Sequence, residues 1–225
     1  MRLRSAVGEA ADTYVRAGRP SGSTPWREAS WCALDLELTG LDPRQHEIIA
    51  VGAVPIEEGR VVLGQSLYTL VRTTQRSDPN AVLVHKLRVA DLADAPSLDE
   101  ALDMILGAFA GRVPVFHTAP VEHSFLAPLF ARRRLRFPSV ADTEVLGRAW
   151  LRERDGEAPP FIRLERLARE LGQPAEVPHH ALGDALTTAQ AFIGVAAHLD
   201  VDSPQSVSSL VRSPRLLRRI RVTAA

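Results

Sequence analysis

The 225-residue chain balances 27 Lys and Arg against 27 Asp and Glu, is 45% hydrophobic and contains one cysteine. That length and apolar fraction suit one large globular domain, or one domain with extensions. Cys32 has no second cysteine to join, which excludes an internal disulfide and a cysteine-based zinc site, and no run of 18 apolar residues is present to span a membrane.

The N-terminal stretch carries charges but no apolar core of a secretory signal, so the cytoplasm is the expected location, with no membrane contact. The neutral total is unevenly distributed. Residues 1–30 hold five Arg and three acids (+2), and residues 203–225 hold five Arg and no acid (+5). The remaining 31–202 therefore carry 17 basic and 24 acidic residues (−7). An acidic centre with basic ends hints at polyanion contact through the ends; a solvated surface and a frayed tail give the same pattern.

In chain order, residues 1–30 read as a short helix followed by a Gly/Pro/Ser linker around GRPSGSTPW. WCALDLEL (31–38) reads as a strand, EIIAVGAVPIE (47–57) as a second, and VVLGQSLYTLVR (61–72) as a third. The EEGR turn at 57–60 makes 47–72 an antiparallel hairpin. SLDEALDMILGAFAG predicts a helix capped by Ser97 with Glu100 three residues on, closed by Gly111. VPVFHT (113–118) reads as a short buried strand, and helical periodicity follows at about 120–134, 142–154, 161–171 and 181–198. Three strands and then alternating helix and strand predict a mixed β-sheet flanked by helices, in an α/β fold. The expected domain plan is an N-terminal extension or linker at 1–30, a main domain at 31–200 and a basic C-terminal tail at 201–225.

Asp35 and Glu37 stand out in the first strand. Positions i and i+2 share a strand face, so the two carboxylates converge. Two close, part-buried carboxylates repel, and one takes up a proton unless a cation sits between them. A hard divalent cation such as Mg²⁺ satisfies both. A solvent-facing D-x-E pair is the bland alternative, weakened by the apolar residues from Trp31 to Leu34 that lead into it. Near the C-terminus, HHALGDALTTA places His179 five residues before Asp184 at the start of a helix. A carboxylate ligand with a nearby base is what metal-assisted hydrolysis requires; a helix cap with a surface histidine fits the same spacing. On that spacing His180 is the weaker candidate base.

LDLELTGLDP, EIIAVGAV, VHKLRVADLADAP, VFHTAPVEHSFL, ADTEVLGRAW and HHALGDALTTA occur in the order and spacing of the DnaQ-like 3′→5′ exonucleases. The resemblance is to the histidine subgroup of the DEDD superfamily, which includes the epsilon proofreading subunit of bacterial DNA polymerase III, and it covers about 31–198. It implies a ribonuclease H-like fold, two divalent ions (Mg²⁺ or Mn²⁺), and hydrolysis of DNA or RNA from a free 3′ end to nucleoside monophosphates. A DNA polymerase or another replication or repair protein is the further partner it implies. Matched by position, Asp35, Glu37, Glu122 and Asp184 become the metal ligands and His179 the general base. Thr39, Gly40, Leu41 and His85 become substrate-binding residues.

The match has departures. Glu122 stands where the family carries aspartate, Leu38 where threonine is usual, Thr118 and Val121 where asparagine and phenylalanine are usual, and Gly183 where a non-ligand acid is common. The extra methylene of Glu122 adds roughly 1.5 Å of reach, so it serves only by folding back or by binding through water. A catalytically impaired domain that binds nucleic acid or protein is the alternative this raises. A nucleotide-dependent ATPase or kinase is the rival from another class and is poorly supported, since there is no G-x-x-x-x-G-K-[ST] loop and Lys86, the sole lysine, lies in none. Asp142 reads as a structural cap, His117 as a core support, Cys32, Trp150 and Phe161 as core, and His123 and His198 as surface residues.

Overall fold

The computed structural model describes residues 7–75, 77–174 and 179–213. In chain order they form α1 (Glu9–Ala17), β1 (Trp31–Leu38), β2 (Ile48–Glu57), β3 (Arg60–Val61), β4 (Leu67–Leu70), α2 (Pro79–His85), α3 (Leu98–Phe109), β5 (Val113–Phe116), α4 (Pro120–Arg132), β6 (Ala141–Asp142), α5 (Thr143–Asp155), α6 (Leu164–Glu170), α7 (Ala181–Asp202) and α8 (Val207–Leu210). The sheet runs β3-β2-β1-β5-β6, with β4 also on β2. β1 pairs antiparallel with β2 and parallel with β5, and β5 pairs parallel with β6. This is the mixed sheet flanked by helices that the sequence predicts.

β1 is buried on both faces. Cys32, Leu34, Leu36 and Leu38 join one core with Tyr14, Leu102, Phe109, Phe116 and Phe130, from α1, α3, β5 and α4. Trp31 and Ala33 point the other way, into a second core with Val54, Ile56, Ala185, Ala189 and Phe192, so α7 covers that face. Each large apolar side chain so buried is worth about 1.5–3 kcal/mol. Odd-numbered residues of β1 therefore face α7, and Asp35 and Glu37 fall in that row.

α7 comes unusually close to the sheet because its inward row, Ala181, Ala185 and Ala189, is small. The partner of Asp35 on β2 is Gly52. A Cβ there would lie 2.2 Å from the carbonyl carbon and oxygen of Ala181 and 2.4 Å from the amide nitrogen of Leu182. Glycine is thus required by the approach of the helix backbone, with no turn involved.

The third strand is not continuous, contrary to the expectation for 61–72. It splits into β3 and β4 around a 3-10 turn at Leu63–Gln65. Val62 donates to the Pro55 carbonyl at 2.9 Å, so Pro55 turns its hydrogen-free nitrogen toward this same edge. The ladder cannot continue there, and it resumes where Leu67 meets Ala53. The predicted caps hold: Ser97 accepts from the Glu100 amide at 3.3 Å, and Gly111 follows with φ 75°. The short N-terminal helix is α1, packed on α3. The linker beyond it is part of the core: Trp26 and Ala29 are 1% exposed, and Trp31 Nε1 donates to the Trp26 carbonyl at 2.8 Å. Among the described residues no helix is long and apolar enough to cross a membrane.

Gly52→Ala is expected to cost about 1–3 kcal/mol or more in thermal unfolding, because a methyl must displace helix backbone. A melting temperature equal to that of the parent chain would show that α7 does not need this notch.

Candidate active site

The cluster lies at the C-terminal end of β1. Asp35, Glu37 and Asp184 each present a carboxylate oxygen within 4.8 Å of the others. β1 supplies the first two by its alternation, and the first turn of α7 supplies the third across the Gly52 notch. The β1–β2 register slips after Glu37, whose partner is Ala50 while Leu38 pairs with Ile48. That bulge re-aims the end of the strand beside the cluster.

Glu122 lies outside that set of three. It sits in the first turn of α4, which starts at Pro120, and is 5% exposed. Its own backbone amide, one of the free donors of the helix start, favours the charged carboxylate, against the larger effect of burial. Its Oε2 has no hydrogen-bond partner among the described residues, nor does Oε1 of Glu37. Among the charges acting on Asp35, that of Glu122 is the largest.

Electrostatics register the crowding. Burial, then the charges of Glu122, Asp184 and Glu37, hold the Asp35 carboxyl well above the usual range. Glu37 is pushed up to about 7 by burial and then Asp184. Burial also raises Glu122, with Asp142 adding to it, and raises Asp184, where the His179 N–H and charge act in the opposite sense. Orphaned buried carboxylate oxygens and four mutually repelling acids are a donor set that hard divalent cations fit.

His179 stands at the entrance to α7, exposed, with φ 65° and its backbone N–H donated to Asp184 Oδ2 at 2.8 Å. His180 caps the helix: its Nδ1 accepts from the Gly183 N–H at 3.4 Å, and its ring stacks on Tyr68. Of the expected substrate-binding residues, Thr39 is fully buried and internally engaged. Its hydroxyl donates to Gln75 Oε1 at 3.1 Å and accepts from the Glu47 N–H at 2.9 Å. Gly40 passes close to the contact between His46 Nε2 and Asp78 Oδ2, where a Cβ would lie 2.5 Å from His46 Nε2. Leu41 is 53% exposed. His85 ends α2, is buried, and accepts the Leu87 N–H on Nδ1 at 3.0 Å.

The supporting residues divide. Asp142 is the expected cap and does more: it accepts from the amides of Glu144 at 3.1 Å, Thr118 at 3.2 Å and Ala119 at 3.1 Å, bracing the starts of α5 and α4 together. His117 is the expected core support, bonding Thr143 Oγ1 at 2.9 Å and the Ile162 carbonyl at 3.0 Å. Cys32 and Trp150 are buried as expected. Phe161 is not core but 48% exposed, because Ile162 takes the inward position. His123 is not a surface residue; it is buried edge-on to Phe137. Tyr68 escaped notice in the sequence, since only the β2–β4 register brings it to the α7 face.

Fold and cluster together define an α/β protein whose mixed sheet carries an acidic centre at the end of β1. The exonuclease family model matches residues 32–192, and the chain belongs to that family. It is 33% identical over 186 residues to a DNA polymerase III subunit epsilon-like protein of Rhodobacter capsulatus, covering 81% of this chain and 26% of that protein. It is 28% identical over 176 residues to a PolC-type DNA polymerase III of Thermotoga petrophila, covering 77% and 12%. The chain thus spans about a quarter or less of these relatives. In fold it is similar to E. coli exonuclease I in complex with a dA16 oligonucleotide (TM-score 0.60, 18% identity, 84% of this chain and 42% of that one). It is also similar to exonuclease X in complex with 5′-overhanging duplex DNA (TM-score 0.58, 22% identity, 80% and 96%).

The Glu37 carboxyl sits near 7 in the fold against an ordinary 4.5. Its contribution to stability is therefore full below about pH 4.5 and lost as pH rises through about 7. A divalent cation bound by the cluster would take the place of the proton. Mg²⁺ is expected to raise the melting temperature more at about pH 8 than at about pH 5.5. Titration calorimetry near neutral pH, in buffers of different ionisation enthalpy, is expected to show proton release. Equal melting shifts and no proton release would show that the cluster binds no cation.

Proposed function

We propose that the chain hydrolyses nucleic acid from a free 3′ end, as a metal-dependent 3′→5′ exonuclease. The observation that carries this reading is the Asp35–Glu37–Asp184 cluster within 4.8 Å, in a member of the exonuclease family. Asp35, Glu37 and Asp184, with Glu122 beside them, would hold two Mg²⁺ or Mn²⁺ ions. When bound, such ions polarise the phosphodiester, acidify the attacking water and stabilise the leaving oxygen.

The chain's own residues do the rest. His179, exposed at the mouth of the cluster, accepts the proton of the attacking water on its imidazole. The water oxygen bonds to phosphorus, and the P–O3′ bond of the terminal linkage breaks. A nucleoside 5′-monophosphate leaves, and the freed O3′ takes a proton from solvent to become the strand's new 3′-hydroxyl. Gly40 and the exposed Leu41 shape the entrance for the terminal nucleotide, with Thr39 bracing that loop through Gln75 and Glu47. Asp142 keeps Glu122 in place by fixing the start of α4.

The chemistry belongs to residues 31–200, against which the described part of 1–30 packs. The arginines of 201–225 contact phosphate. Of these, Arg212 pairs its backbone with Val140, while Arg215, Arg218, Arg219 and Arg221 lie outside the described residues. DNA and RNA both present the required 3′ phosphodiester. A DNA polymerase or repair protein as partner, and a cytoplasmic site of action, rest on the polymerase III relatives.

A digest of 3′-labelled single-stranded DNA and RNA, with Mg²⁺ or Mn²⁺ or excess EDTA, tests the reading. Labelled mononucleotide is expected with either metal and none with EDTA; full activity in EDTA would overturn it. Glu122→Ala is expected to lower kcat by about a hundredfold or more. Glu122→Asp is expected to lower it less, since aspartate keeps the carboxylate but shortens its reach. A rate that rises with Glu122→Asp would favour the impaired-domain alternative.

A further inference from the structure

Three residues stand in one row across the sheet. Asp35 on β1 is opposite Gly52 on β2, and Gly52 is opposite Tyr68 on β4. Directly paired residues point to the same face, so all three face α7. Gly52 leaves a notch into which the Ala181 backbone fits. The start of α7 is therefore seated between a metal-ligand carboxylate on one side and an aromatic ring on the other.

The ring on that other side is occupied. The His180 imidazole lies nearly flat on Tyr68, with centroids 4.7 Å apart and planes 20° apart. His180 is also the N-cap of α7, its Nδ1 accepting from Gly183. The residue before it, His179, takes a left-handed backbone at φ 65° without being glycine. Such a conformation persists only where neighbours hold it. One hold is its own N–H on Asp184 Oδ2 at 2.8 Å. The other is the anchored ring of the next residue.

We propose that Tyr68 and His180 form an aromatic clamp that positions the α7 entrance, fixing His179 and Asp184 relative to Asp35 and Glu37. Both are positioning residues, acting through His179 and Asp184 rather than on the substrate. The proposal rests on the exonuclease reading of the site. It goes beyond it in assigning a role to an edge-strand tyrosine and to the second of two adjacent histidines. Tyr68 is 40% exposed at a two-sided edge, so its ring is not needed to fill a core.

Steady-state kinetics of Tyr68→Phe, Tyr68→Ala, His180→Ala and the double alanine variant at saturating Mn²⁺ would test it. Tyr68→Thr, with a β-branched side chain suited to an edge strand, replaces Tyr68→Ala if that variant melts early. Each single loss of a ring is expected to lower kcat by about tenfold with KM changed less than about twofold. The double variant is expected to be no slower than the slower single one, because both remove the same contact. Tyr68→Phe keeps the ring and is expected to restore the rate. Additive losses, an unchanged kcat, or a raised KM at unchanged kcat would overturn the clamp; the last would make Tyr68 a substrate contact. Calorimetric titration of the same variants with Mn²⁺ alone separates the clamp from the exonuclease reading. Weaker Mn²⁺ binding in Tyr68→Ala, restored in Tyr68→Phe, supports the clamp even if the parent chain cleaves no nucleic acid. Equal Mn²⁺ affinity in all variants counts against it.

Discussion

The repulsion among carboxylates forced to share one end of β1 is the constraint around which the rest is arranged. Asp35 and Glu37 cannot separate, because the strand that carries them is buried on both faces and its alternation is fixed by Trp31, Ala33, Leu34 and Leu36. Asp184 cannot withdraw either, because α7 is pressed into the sheet at Gly52 by a row of alanines. The packed cores hold together what electrostatics would push apart. The cost appears as carboxyls raised far from their ordinary range. Native structures keep such tension where function needs it, and two divalent cations would relieve it.

The elements that bring the cluster together are stabilised by unrelated contacts. Trp31 lies on Phe192 with centroids 4.6 Å apart, joining β1 to the middle of α7, well away from the carboxylates. Trp26 meets the same phenylalanine edge-on. At the β6 edge of the sheet, Asp142 ties α4 to α5 through three backbone amides, and its own carboxyl is raised to about 6, by burial first and Glu144 second. The helix that carries Glu122 is thus anchored at its first turn.

Much of the fold was legible because its signals are local. The alternation of WCALDLEL, the Ser97–Glu100 box and the 3.6-residue periods of α4, α5 and α7 each depend on near neighbours, and each formed within a few residues of where the sequence placed it. The interruption of the third strand depends on Pro55, a residue on a different strand, and no periodicity within 61–72 reports it. Phe161 and His123 differ from expectation for a related reason: a single aromatic or histidine carries no burial signal until its helix or, for Phe161, the segment leading into α6 is oriented. The cluster itself was legible as residues but not as a geometry. Spacing paired Asp35 with Glu37 and His179 with Asp184, whereas the distance between those pairs is set by Gly52 and the alanines of α7. Tyr68 was invisible for the same reason, since its place opposite Gly52 is a property of register.

Anomalous diffraction from crystals soaked in Mn²⁺ reads the central claim most directly, because it locates cations without requiring turnover. The expected result is Mn²⁺ density coordinated by the Asp35, Glu37 and Asp184 carboxylates, with Glu122 turned toward it and the cluster otherwise unchanged. Density elsewhere on the surface with none at these residues, or a cluster that opens apart when Mn²⁺ is supplied, would contradict it.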